Sequence, residues 1–347
     1  MPPPGTICIL RLSAIGDTCH ALAVVRNIQD NWPSANITWI IGRTEASLLT
    51  DIENVEFIVY DKRGGKAARK DLRTKLSDRQ FDIALCMHAS MRANLICRSI
   101  RSPVKLGFDF KRARDFQWLF TNQRIAAQDG QHVLDGMMAF ARHIGAKKTE
   151  LRWDVPIAGP DRELVAINIA DDEPVLLISP CSSQRSRNFR NWSARNYAQV
   201  AKYAQDTYGC KVILTGGNSV LERDYGQTIV DLADANIVDL IGKTNLKELL
   251  ALIEASHAVV CPDSGPAHMA TTVGTPVIGL YATSNPARSG PYFNRDLTVN
   301  AYAEAVERYL GKSSDQVRWG QRVRDPGAMD LIKQETVISK IDHIFRK

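Results

Sequence analysis

Short β-rich runs alternate with helix-spaced apolar segments from the first residues of this chain, and the alternation stops once and then starts again. Repeated βαβ units bury both faces of their strands only as a parallel sheet covered by helices, with right-handed crossovers. In the first half, residues 6–10, 37–41, 56–60 and 81–86 have strand composition. Helical patterns over 18–31, where Ala21, Val24, Val25 and Ile28 share a face, and over 67–78 separate them. Pro156, Gly159-Pro160 and Pro174 then interrupt the pattern. After it come strands at 175–178, 211–214, 237–240, 258–261 and 277–280, with helices near 194–206, 221–232, 246–255 and 266–273. The expected fold class is α/β, with two doubly wound, Rossmann-like domains facing a central cleft. The expected boundaries are an N-terminal domain at 1–155, a linker at 156–173 and a C-terminal domain at 174–327. A last amphipathic helix within 328–347, apolar at Ile332, Val337, Ile338, Ile341 and Ile344, is expected to pack back on the N-terminal domain. Open α/β sheets bind ligands beyond the carboxyl ends of their strands, which places the expected active site in the cleft.

With 347 residues, 44% hydrophobic and 24% charged, the chain has apolar material for two domains and is neither disordered nor fibrous. No apolar run approaches the roughly 20 residues of a spanning helix. The N-terminus has no charged, apolar and small-residue sequence of a secretory signal, so a cytoplasmic location is expected. Seven scattered cysteines without a Cys-x-x-Cys pair read as free buried thiols rather than zinc ligands or disulfides. The net charge of +6 is unevenly spread. Residues 62–124 carry 16 Lys and Arg against 5 Asp, whereas the remainder carries 28 basic against 33 acidic residues. Basicity confined to one stretch implies an anionic partner at one surface.

Two strand-to-helix turns carry the chemistry. In Cys261-Pro-Asp-Ser-Gly-Pro-Ala-His268, a strand ends and a helix begins near Gly265-Pro266, with Gly274 placed to stop it. Such a helix start offers free N–H groups and the positive end of the dipole to a phosphate, with Ser264, Gly265 and His268 at hand. The same pattern also fits a plain N-cap with a core histidine. Leu10-Arg-Leu-Ser-Ala-Ile-Gly-Asp-Thr18 is the corresponding turn of the first half. It is neither Gly-x-Gly-x-x-Gly nor a P-loop, which disfavours nicotinamide cofactors and ordinary NTPase chemistry. Asp17 there either complements the helix dipole or faces the cleft as a general base.

These segments resemble glycosyltransferase family 9, the GT-B-fold lipopolysaccharide heptosyltransferases. Leu10-Arg-Leu-Ser-Ala-Ile-Gly-Asp-Thr-Cys-His20 is similar to the family's Gly-Asp signature. Pro262-Asp-Ser-Gly-Pro-Ala-His268, Gly274-Thr-Pro276 and Asn285-Pro-Ala-Arg-Ser-Gly-Pro-Tyr292 resemble its donor-binding signature. Gly107-Phe-Asp-Phe-Lys-Arg-Ala-Arg-Asp-Phe-Gln-Trp-Leu-Phe-Thr-Asn122, His132-Val-Leu-Asp-Gly136, Ile178-Ser-Pro-Cys-Ser-Ser183 and Gly242-Lys-Thr-Asn-Leu246 resemble the heptosyltransferase I branch. The resemblance covers nearly the whole chain.

The resemblance implies transfer of L-glycero-D-manno-heptose from ADP-heptose to phosphorylated or unphosphorylated Kdo of lipid A, with inversion at the anomeric carbon. Asp17 becomes the base. Ser182, Ser183, Asp263, Ser264, Gly265 and His268 become donor contacts, with Thr18 a weaker one. Preorganised donors at the departing diphosphate lower the barrier where its charge grows. Either Arg187 or Arg190 meets the diphosphate. Glu222 matches an acid holding the ribose in relatives, or is a solvated helix charge, and Thr244 borders the adenine. Family members often carry Asp-x-Gln-Gly after the fourth strand, where this chain reads Cys86-Met-His-Ala-Ser-Met91. His88 there is either an acceptor contact or a buried histidine. Lys62, Arg63, Lys66, Arg69, Lys111, Arg112 and Arg114 are the expected contacts to acceptor phosphates and carboxylates and to the anionic inner-membrane leaflet. The enzyme is expected to be peripheral on the inner face of that membrane. No Asp-x-Asp pair sits at a strand end, so no metal and no cofactor are expected, ADP-heptose being a substrate.

Other readings are a family 9 transferase with another nucleotide sugar or a later core acceptor, and a nucleotide-sugar epimerase built on two such domains. A nucleic-acid partner is not expected, because the basic stretch has no RNP-type aromatic pattern.

Overall fold

The computed structural model describes residues 3–170, 172–182 and 188–346. The chain divides into two compact units, Met1–Pro156 and Ile157–Lys347.

The first unit contains β1 (Thr6–Leu10), α1 (Ile15–Asn31), β2 (Asn36–Gly42), α2 (Arg43–Leu49), β3 (Val55–Tyr60) and α3 (Gly65–Leu76). It continues with β4 (Ile83–Leu85), α4 (Met91–Cys97), β5 (Val104–Gly107), β6 (Gln123–Arg124) and α5 (Val133–His143). The strands form one parallel sheet in the order β3-β2-β1-β4-β5-β6. Alternate residues of β1 serve opposite faces, as strand geometry requires. Cys8 and Leu10 pack with Leu72 and Leu76 of α3 and Ala93 and Ile96 of α4. Ile7 and Ile9 are fully buried as well, and α1 packs against α5. A sheet covered on both faces explains why these strands read as continuous apolar runs.

The second unit contains α6 (Glu163–Asn168), β7 (Val175–Ile178), α7 (Ala194–Tyr208), β8 (Lys211–Leu214), α8 (Val220–Ala233), β9 (Ile237–Asp239) and α9 (Leu246–Glu254). Then follow β10 (Ala258–Pro262), α10 (Gly265–Val273), β11 (Val277–Tyr281), α11 (Pro286–Ser289), β12 (Val299–Asn300), α12 (Tyr302–Leu310) and α13 (Gln334–Phe345). Its parallel sheet runs β12-β11-β10-β7-β8-β9. Counted from each unit's first strand, both sheets have the order 3-2-1-4-5-6. The direction of winding reverses between β1 and β4 in one unit and between β7 and β10 in the other. The doubly wound α/β class is the observed one.

Two further segments are grouped with the second unit. The C-terminal helix falls in the second unit. Val337 and Ile341 belong to the core of the second unit, α13 lies on α7, and the Tyr203 and Tyr208 hydroxyls each donate to Asp342 Oδ1 at 2.7 Å. An apolar stripe states that a surface must be covered but not which one. Most of the expected linker, from Ile157 on, is grouped there too. The 3₁₀ turn Pro160–Arg162 and α6 pack on α9, with Arg162 Nη1 2.6 Å from Glu254 Oε2, so this segment belongs to the second unit. Among the described residues no helix is long and apolar enough to cross a membrane.

Candidate active site

In the first unit the switch point between β1 and β4 gathers Arg11, Asp17 and His88. Arg11 directly follows β1 and is 8% exposed. Its Nη1 donates to the Met87 carbonyl at 2.6 Å, and its Nη2 is ion-paired with Asp17 Oδ2. Asp17 occupies the first turn of α1, and the same oxygen accepts the Ala14 N–H at 3.3 Å. The carboxylate is thus oriented from two sides, yet its side chain remains 36% exposed. That combination suits a group that must be both ionised and reachable.

His88 stands beside this pair. Its Nδ1 accepts the Leu12 N–H at 3.1 Å, which fixes the neutral tautomer with the proton on Nε2. Burial, and then the Arg11 guanidinium, pull its pKa from 6.5 down to about 3; Lys62 and Arg92 act the same way and Asp17 opposes them. The folded chain therefore holds His88 neutral where an unfolded histidine is protonated. Its contribution to stability is full above pH 6.5 and is lost as pH falls toward 3. The expected result is an imidazole NMR signal that does not titrate between about pH 5 and 8. A midpoint near the ordinary value would contradict the neutral imidazole with Nδ1 as acceptor.

Thr18 is fully buried and its hydroxyl donates to the Ile15 carbonyl at 2.7 Å, inside α1 rather than at the mouth of the sheet. The expected acceptor cations separate into two groups. Lys62 Nζ donates to both oxygens of buried Glu45 at 3.0 Å, Lys111 pairs with Asp129, and Arg112 pairs with Asp109 while donating to Gln131 Oε1 and the Ala126 carbonyl. Arg63, Lys66, Arg69 and Arg114 are exposed and make no ion pair among the described residues.

In the second unit the switch point lies between β7 and β10. Ser264 is the N-cap of α10 but its side chain makes no cap hydrogen bond, so the first N–H groups of this nine-residue helix are not consumed by it. Pro266 sits in the first turn, and Gly274 ends the helix with φ +79, a left-handed conformation that glycine adopts without strain. His268 is buried in the same helix.

Arg190 is brought to this helix start. Its Nη1 donates to the Asp263 carbonyl at 2.8 Å, and Asn188 Oδ1 accepts from its backbone N–H and its Nε at 3.2 Å. Ser182, 1% exposed, ties in the following residues by donating its N–H to Asn191 Oδ1 and its hydroxyl to Asn188 Oδ1. Of the two arginines left open by the sequence, Arg190 adjoins α10; Arg187 and Ser183 lie outside the described residues. Asp263 is enclosed. Its Oδ2 accepts the Ser284 hydroxyl at 2.8 Å and lies 3.7 Å from both Arg190 Nη1 and Arg322 Nη2. It holds two guanidinium groups at the helix start, a role the sequence reading did not give it.

Glu222 stands in the first turn of α8, and Thr244 lies on the loop between β9 and α9. The Gly242 N–H donates to the Gly216 carbonyl at 3.0 Å, and a Cβ at Gly242, which has φ +75, would meet Asn218 at 2.9 Å. Glu222 caps its own turn, accepting the Gly217 N–H at 2.9 Å and the Ser219 hydroxyl. Thr244 is half-buried just before the N-cap of α9. Among the described residues there is no group of three or more His, Cys, Asp or Glu able to hold a metal ion.

Arg11, Arg322, Ser284 and Asn188 were missed from sequence. Arg11 had a signal, a lone cation inside the apolar run Leu10-Arg-Leu12. Arg322 had none, since only the fold brings it to Asp263.

The profile of "Glycosyltransferase family 9 (heptosyltransferase)" matches residues 69–315. The chain is 42% identical over 97% of its length, and 96% of the relative's, to the lipopolysaccharide core heptosyltransferase OpsX of Haemophilus influenzae. Among solved structures, a family 9 glycosyltransferase from Veillonella parvula superposes with TM-score 0.80 at 19% identity, covering 99% of this chain and 97% of that one. The E. coli heptosyltransferase WaaC with ADP gives TM-score 0.74 at 17% identity, over 97% and 99%. Those two likenesses speak for the GT-B heptosyltransferase architecture of the two sheets. With a family profile spanning most of the residues and a heptosyltransferase similar along almost its entire length, this chain belongs to glycosyltransferase family 9.

Proposed function

We propose that the chain transfers L-glycero-D-manno-heptose from ADP-heptose to Kdo of lipid A, at the cytoplasmic face of the inner membrane. The single observation that carries this reading is that each sheet has its polar cluster at its switch point: an oriented carboxylate in one unit and a cationic helix start in the other. The 42% identity to a lipopolysaccharide core heptosyltransferase supports it.

In the proposed reaction a Kdo hydroxyl oxygen bonds to the anomeric carbon as the bond from that carbon to the diphosphate oxygen breaks. The electron pair leaves with ADP, the hydroxyl proton goes to Asp17, and configuration inverts. The α10 start and Arg190 oppose the charge growing on the leaving phosphate, where preorganised donors act most strongly. Ser182 and Asn188 keep Arg190 in place, Glu222 is assigned to the ribose and Thr244 to the border of the adenine, and the exposed cations Arg63, Lys66, Arg69 and Arg114 are assigned to the acceptor's anions. No metal ion is assigned a part in these steps.

Calorimetric titration separates this from the alternatives. ADP-heptose is expected to bind and UDP-GlcNAc not, and incubation with ADP-heptose and Kdo-lipid A should release ADP with or without EDTA. Binding of UDP-GlcNAc alone would favour a different nucleotide-sugar enzyme, and complete loss in EDTA would overturn the metal-free step.

A further inference from the structure

We infer that residues 110–119 with the outer face of α4 form an apolar wedge that inserts into an anionic lipid bilayer. Phe110, Phe116, Trp118 and Leu119 are 65%, 60%, 42% and 63% exposed, and Met91 and Leu95, one turn apart on α4, are 43% and 37% exposed. The Phe116 and Trp118 ring centroids lie 6.3 Å apart, and a segment with this many exposed apolar side chains is not the single scattered residue that would need no explanation.

Gln117 sets the arrangement. It is 1% exposed, its Nε2 donates to the Cys86 carbonyl at 2.8 Å, and its Oε1 accepts the Phe108 N–H at 3.1 Å. With Gln117 pinned inward, its neighbours Phe116, Trp118 and Leu119 are turned out. Phe116 is held at φ +57, a conformation rare for an aromatic residue. The wedge is joined to α4 through Asn94 Nδ2, which donates to the Asp115 carbonyl at 2.7 Å, and through the Met91 N–H, which donates to Asp115 Oδ2 at 2.8 Å.

Charge around the wedge selects the occupant. Residues 91–124 contain eight Lys and Arg against two acids, Asp109 and Asp115. Asp109 is buried against Arg112 and Asp115 accepts the Met91 N–H at the start of α4, so both acids are occupied within the unit. Arg92, Arg98, Arg114 and Arg124 are exposed, and the Arg124 guanidinium lies 3.9 Å from the Phe110 ring centroid. Apolar and aromatic side chains ringed by cations match the boundary between acyl chains and anionic headgroups, where Trp and Phe enter and arginine stays at the phosphates. This rests on the proposal that the acceptor is a lipid, and extends it from attraction by charge to insertion.

The test is vesicle co-sedimentation of the full chain with phosphatidylethanolamine vesicles, with and without phosphatidylglycerol, at low salt and at about 1 M salt, where the Debye length is about 3 Å. Wild type should require the anionic lipid at low salt and keep a salt-resistant bound fraction. Phe116→Ser with Trp118→Ser and Leu119→Ser should lose that fraction by about tenfold, while transfer to a deacylated, water-soluble acceptor stays within about twofold. Wild-type binding that vanishes entirely at high salt would overturn insertion and leave the transferase reading intact. Loss of transfer to the soluble acceptor in a variant with wild-type circular dichroism would place these residues in the acceptor site instead. A wild-type dimer in sedimentation velocity that the variant converts to monomer, with vesicle binding unchanged, would assign the face to a second copy and overturn the lipid.

Discussion

Asp17→Asn should lower turnover by about 10²-fold or more while ADP-heptose still binds. The substitution keeps the shape of the side chain and leaves an oxygen for the Ala14 N–H, but removes both the proton acceptor and the negative partner of Arg11. Losing the partner has its own cost, because the Arg11 guanidinium is largely buried. Asp17 is about one-third exposed, so solvent screens much of that loss and a stability decrease of about 1 kcal/mol is expected. Thermal unfolding of the variant separates this from catalysis: a fully folded variant with intact donor binding and slow ADP release supports the base. Asp17→Glu is the second variant. It restores charge with a carboxylate displaced by one methylene and should recover binding of Arg11 better than rate. Near-normal turnover in Asp17→Asn would remove the role.

The sheets were legible in the sequence where strands are central and buried on both faces. Residues 175–178 and 211–214 were placed to the residue because Val-Leu-Leu-Ile is continuously apolar and Lys-Val-Ile-Leu is so after its first residue, as a doubly covered strand demands. Strand β5 and the edge strands β6 and β12 were not placed. They are two to four residues long, and Gln123–Arg124 and Val299–Asn300 are too short and too polar to show a period. Helices α2, α4, α5 and α12 also escaped, three of them nine residues or fewer, with no stripe long enough to stand out.

The candidate site divided in the same way. Asp17, Ser264 and Gly265 were readable because they sit at strand-to-helix turns, where local sequence states both the end of one element and the start of the next. Their supporting residues were not. Arg322 reaches Asp263 from a segment remote in sequence, and the packing of α13 depends on which helix offers a matching groove. Lys62, Lys111 and Arg112 counted as free positive charge in the sequence, yet Glu45, Asp129 and Asp109 engage them. Charge counts do not show pairing, and the cations open to an acceptor are fewer than the stretch suggests.

Arg190→Ala should weaken ADP-heptose affinity and slow turnover together, by about 10²- to 10³-fold in kcat/KM. The argument starts from what holds the guanidinium. Asn188 Oδ1 and the Asp263 carbonyl accept its N–H groups, and Asp263 Oδ2 lies 3.7 Å away, so the charge is fixed at the start of α10 before any ligand arrives. Because the side chain is only 14% exposed, an anion there would meet the charge with little intervening water. A fixed charge need not reorganise as the diphosphate gains charge, so its effect should be larger in the transition state than on bound donor, and kcat should fall with affinity. Arg190→Lys tests geometry against charge. An ammonium cannot reproduce the two-sided hold on Asn188 and Asp263, so it should recover ground-state binding more than kcat. Asp263→Asn provides the complementary measurement, since it leaves Arg190 and Arg322 without their shared carboxylate while keeping an acceptor for Ser284. If Arg190→Ala altered only the KM for the acceptor, the arginine would belong to the acceptor side and the α10 start alone would carry the diphosphate.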